Sequence, residues 1–130
     1  MLGELEQRDT FVVCDMEAGL GTVSRLGPGR IDVVLVVVEP SAKGIDVGRR
    51  AAQIASARAR VIVVANRITG EADLEAVAAV LEGYELVAVP EEPVILRADR
   101  EGIAPIDVDA DAPGISALRR LAERLVALDA

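Results

Sequence analysis

The sequence predicts an α/β domain: a mostly parallel sheet of four or five strands with helices on both faces. Three observations carry that prediction. Apolar segments of strand length alternate with segments of helical periodicity, the order that builds parallel sheets. The strand segments are continuous apolar runs, as expected of strands buried on both faces; the longest is Val33-Val34-Leu35-Val36-Val37-Val38. The core must be aliphatic, because hydrophobic residues make up 52% of the chain and aromatic residues only 2%. The 130 residues correspond to one domain, long enough to bury a core.

The elements follow in order. Residues 4–8 are polar and read as the tail of a helix. Residues 11–15 form an apolar run ending in Asp15, the first expected strand. Residues 20–26 read as a short helix or ordered turn, ended by Gly27-Pro28-Gly29. Residues 31–39 are the second strand. Pro40-Ser41 then opens a helix to about Arg58, with Ile45, Ala51, Ala52, Ile54 and Ala55 at helical spacing. Residues 61–65 are the third strand. Thr69-Gly70-Glu71 breaks the chain and starts a helix in which Leu74, Val77, Ala78 and Leu81 share a face; Gly83 stops it.

Residues 86–89 are the fourth strand, ended by Pro90. Residues 93–101 suggest a short helix with Val94, Ile95 and Ala98 on its apolar face. Residues 103–108 read as extended, a fifth strand at the sheet edge. Asp111 is the expected N-cap of the last helix, with Pro113 near its first position. Ile115, Leu118, Leu121, Ala122, Leu125 and Leu128 give that helix one apolar face.

Composition excludes several classes of function. A net charge of −8 opposes a general nucleic-acid surface, which needs clustered cations. The adjacent pairs Arg49-Arg50 and Arg119-Arg120 read as solvated helix faces. The longest apolar run is too short to span a bilayer, and the acidic, mixed residues 1–6 do not form a signal peptide. With one cysteine and no histidine the chain forms no internal disulfide and lacks the usual zinc ligands, and the cytoplasm is the expected compartment. Cys14, at the end of an expected strand, reads as a buried structural thiol.

Ligands of open parallel sheets sit beyond the carboxyl ends of the strands. Four such ends carry distinctive residues: Asp15 with Gly19, Glu39 with Ser41, Asn66 with Arg67, and Pro90 with Glu91 and Glu92. Each also has a plain reading as a turn former or helix cap. An apolar strand, then Asp15, then a turn ending in Gly19 is the pattern that sets a carboxylate near Mg²⁺ and a glycine amide near a terminal phosphate. Such a site also needs a glycine-rich loop with a lysine and a Ser/Thr. The only lysine, Lys43, has no glycine before it at loop spacing and no Ser/Thr after it. A different reading uses Asp15, Glu17, Glu39 and Glu92 as oxygen ligands for a hard cation.

Asp15-Met16-Glu17-Ala18-Gly19-Leu20 resembles the switch segment of MinD/ParA-type ATPases, and most of all that of the nickel-insertion ATPases of carbon-monoxide dehydrogenase maturation (CooC-like). Residues 31–41, with Glu39-Pro40, resemble the next strand and loop of that group. Residues 61–67 resemble the strand that ends in an adenine-facing Asn, and residues 86–102 resemble the late nucleotide-side loop and short helix. The resemblance implies a truncated MinD/CooC-like P-loop-type fold with ATP and Mg²⁺ as its ancestral ligands. Asp15 would then be the Mg²⁺-side carboxylate. Gly19 would donate its backbone N–H to the terminal phosphate, Asn66 would hydrogen-bond adenine, and Pro90 would lie beside the base.

The departures bear on function. The family's first strand, its glycine-rich phosphate loop with the signature lysines, and its paired metal-binding cysteines have no counterpart in these residues. The resemblance therefore implies a non-catalytic or partial relative acting as a binding or regulatory module. The alternative is an ATP-binding segment completed by a separately encoded phosphate-loop half. In the family the absent strand lies between those matching residues 11–15 and 33–38. The expectation is that these two strands pair directly, or that the chain homodimerises through an exposed sheet edge or helix face, or that a partner protein supplies the missing part.

Overall fold

A computed structural model describes residues 10–16, 21, 25, 27, 29 and 31–128. The elements run β1 (Val33–Val38), α1 (Ala42–Ser56), β2 (Arg60–Ile68), α2 (Glu71–Val80), β3 (Glu85–Pro90), α3 (Pro93–Glu101), α4 (Pro105–Val108) and α5 (Pro113–Leu128). The three strands form one parallel sheet in the order β1-β2-β3. Val33 pairs with Arg60 and Val38 with Ala65 across the first ladder. Ile62 pairs with Glu85 and Ala65 with Ala88 across the second, which then slips before Ile68 meets Pro90.

The pleat of β2 divides the core into two layers, since successive side chains point to opposite faces. Val61, Val63 and Ala65 join Val34, Val36 and Val38 of β1 on one face, beneath Ile45, Ala52 and Ala55 of α1 and beneath Val77 and Leu81 at α2. Ile62 and Val64 join Val89 of β3 on the other, beneath Ala117 and Leu121 of α5. The expected aliphatic core and helices on both faces are therefore present.

Local chemistry fixes the element ends. The Ser41 hydroxyl accepts from the Gly44 N–H at 3.0 Å and caps α1. Gly48 lets α1 lie close on β1: a Cβ there would sit 2.4 Å from a Val38 methyl. The Asp73 carboxylate accepts from both the Thr69 N–H at 2.9 Å and the Thr69 hydroxyl at 2.6 Å, tying the start of α2 to the end of β2. Gly83 and Gly102, both at positive φ, follow α2 and end α3. Among the described residues no helix is long and apolar enough to cross a membrane.

Several expectations need correction. The described residues form three strands rather than four or five. Residues 11–15 are not a strand: they have no regular structure and are exposed, so Cys14 is an exposed thiol rather than a buried one. An apolar run becomes a strand only where a neighbour takes its backbone bonds, and no described strand pairs with this one. Nor do residues 11–15 pair directly with residues 33–38. Residues 103–108 are not an extended edge strand. Pro105 sets a helical φ at the first position of α4, and the Asp109 N–H closes the turn on the Pro105 carbonyl at 3.2 Å. Asp111 does not cap α5; its own N–H donates to Asp109, and α5 starts at Pro113. Within α5, Leu118 and Ala122 are exposed, leaving Ile115, Ala117 and Leu121 as the buried line. Residues 4–8 and most of residues 20–26 lie outside the described residues.

Candidate functional site

The carboxyl ends of the three strands form a shallow crevice of about 300 Å³. Glu39, Pro40 and Ser41 enter it from the turn after β1, Arg67 and Thr69 from the end of β2, Asp73 from α2 and Glu91 from just beyond β3. This is where a parallel sheet presents ligands. The turn after β1 is tight, with the Ser41 N–H donating to the Glu39 carbonyl at 2.8 Å. A Cβ on Gly44 would sit 2.7 Å from that carbonyl oxygen, so the turn requires glycine there.

Arg67 is the centre of the crevice. Its guanidinium donates to the Glu39 carboxylate at 3.4 Å and to the Glu91 carboxylate at 3.2 Å, joining all three strand ends. The hydrogen bond to Glu91, then the charge of Glu39, hold Arg67 still more firmly in its cationic form. Its backbone is left-handed, with φ of 57°, and lies in the slip between β2 and β3. A non-glycine residue there is strained. The hydroxyl of Thr69 beside Asp73 pulls that carboxyl below its ordinary range.

The sequence-derived site residues fall unevenly. Asn66 is half-buried next to Arg67, and Pro90 is the half-buried last residue of β3 beside Glu91. Asp15 is exposed in the irregular segment, and Gly19 lies outside the described residues. Glu39, Ser41, Arg67 and Glu91 do meet in one place, as the strand-end pattern anticipates. Thr69 and Asp73 also line the crevice, although the sequence marks Thr69-Gly70-Glu71 only as a break before a helix.

The hard-cation reading loses two of its ligands to other work. Glu92 accepts from the Val94 N–H at 3.1 Å and from the Gly114 N–H at 2.9 Å, so one carboxylate serves the N-termini of α3 and α5. Glu39 is paired with Arg67. Glu17 lies outside the described residues, and among those described no three metal-ligating side chains come together.

The arginine pairs read as helix faces are such faces. Arg49 and Arg50 both bind Asp46, at 3.2 and 2.9 Å, and Arg119 donates to the Ala110 carbonyl at 2.9 Å. At the opposite end of the sheet Glu85 accepts from Arg124 at 2.7 Å and Arg60 at 3.3 Å; the bond to Arg124 holds its carboxyl below the usual range. Compared with known proteins, the chain matches no family model and no curated protein.

Proposed function

We propose that the chain is a non-catalytic relative of the MinD/CooC-type nucleotide-binding proteins that works as a binding or regulatory module. The observation that carries this reading is the state of Arg67. Phosphoryl transfer depends on cations aimed at the transferring phosphate. Among the described residues the only cation lining the strand-end crevice is held by two carboxylates, and Asp73 adds a third negative charge. Such a crevice opposes a polyphosphate rather than stabilising one. Asn66 and Pro90, to which the resemblance gives an adenine-side role, lie half-buried at the ends of β2 and β3, and the reading is one of inherited scaffold with a different use.

A phosphate-release assay on the purified chain with ATP and Mg²⁺ tests it. The expected result is no release above the protein-free control. Turnover that disappears in Asp15→Ala would contradict the reading and restore to Asp15 its Mg²⁺-side role.

A further inference from the structure

The two edges of the sheet differ. β3 is flanked by α5, and Glu85 at its start is held by arginines from β2 and α5. Among the described residues β1 has no such cover. Among the described residues its only strand partner is β2. Its six side chains are all Val or Leu, without the charge, proline or bulge by which edge strands are normally protected. Its α1-facing side chains are buried, but on the other face Leu35 is 37% and Val37 61% exposed, because α5 covers β2 and β3 instead.

The same chain carries a second apolar feature without a partner. Phe11, Val12 and Val13 are 59%, 48% and 90% exposed in a segment with no regular structure. Their β-branched and aromatic composition suits a strand. The segment does not close on its own β1, although Met16, just after it, packs against the core layer to which β1 contributes. An unpaired edge and an unpaired strand-forming segment on one molecule complete each other in two copies. We propose that the chain forms a two-fold dimer in which residues 11–15 of each copy add as a strand to the free edge of β1 of the other.

Such an exchange is isologous, so both edges and both segments are satisfied and the assembly closes. Residues 11–14 and 33–38 carry no charged side chain, and Asp15 brings the one charge to the end of the contact, although each copy has a net charge of −8. Long-range repulsion between the copies is screened by salt, and added salt tightens the dimer. The inference does not depend on any nucleotide.

Sedimentation equilibrium of the full chain tests it, with Val37→Lys on the edge and Val13→Asp on the segment. The expected result is a reversible dimer that each variant weakens by on the order of tenfold or more, through burial of a charge in an apolar contact. Val13 lies outside the sheet, so its variant remains informative if Val37→Lys disturbs folding. A Val37→Cys variant oxidised with the native Cys14 gives a second readout. A bridge between positions 14 and 37 joining two chains supports the exchange. A wild-type monomer at all concentrations, a dimer indifferent to both charged variants, or a 14–37 bridge within one chain overturns it.

Discussion

Gly48, Glu92 and Arg67 each do something that a neighbouring residue type could not. Gly48 sets how near α1 comes to β1, and Val38 fills the space a side chain would need. Gly48→Val is expected to lower unfolding free energy by about 1–3 kcal/mol in urea titration, the usual cost of overpacking a tight contact. The Glu92 carboxylate holds two helix starts that lie 22 residues apart. Glu92→Ala is expected to cost about 1–3 kcal/mol, because it strips a cap and leaves a part-buried amide without its acceptor. Glu92→Gln keeps an acceptor oxygen and should lose visibly less. Arg67 combines an unfavourable backbone with exposed ion pairs worth about 0–1 kcal/mol each. Relief of left-handed strain is worth about 1–2 kcal/mol, so Arg67→Gly is expected to leave thermal stability unchanged or raise it, and Arg67→Val to lower it. A marked loss of stability in the glycine variant would show that the ion pairs matter more than the strain. Sequence placed Glu39, Arg67 and Glu91 near one another because each follows a parallel strand. It did not reveal Glu92 with Gly114, because a contact of that span depends on how α5 packs rather than on any local pattern.

At the scale of elements, the segments that read correctly are those with a partner. β1, β2 and β3 are apolar runs that meet one another, and α1, α2 and α5 are apolar stripes that meet the sheet. Residues 11–15 have the same composition as a strand but no strand partner among the described residues, and composition alone cannot supply one. Residues 103–108 misled for a different reason: Ile103, Ile106 and Val108 are β-branched residues that suit a strand, yet Pro105 favours a helical turn. The ion pairs at the element ends make stability depend on pH. Glu85, Asp46 and Asp73 are all held below their ordinary carboxyl range, by Arg124, Arg49 and Thr69 respectively. A depressed folded pKa gives stability that is present above the unfolded pKa and is lost as pH falls through the folded one. Urea midpoints are therefore expected to hold near neutrality and fall below about pH 4. Glu85→Gln should flatten part of that fall; an unchanged slope would mean that Arg124 and Arg60 contribute nothing to the folded state.

At the scale of the molecule, three parallel strands bring their carboxyl ends to one crevice and, among the described residues, leave the edge of β1 open. The crevice is acidic, and its one guanidinium is already bound. The open edge is apolar and unprotected. The α/β class and the parallel sheet were legible because buried parallel strands leave a plain aliphatic signature. The condition of the crevice was not, since it depends on a backbone slip in β2 that no residue of the sequence announces. Calorimetric titration of ATP and ADP, each with Mg²⁺, into the purified chain tests the central claim most directly. The account predicts no saturable heat at millimolar nucleotide. Saturable, Mg²⁺-dependent binding that weakens in Asn66→Ala would contradict it and return the crevice to nucleotide recognition.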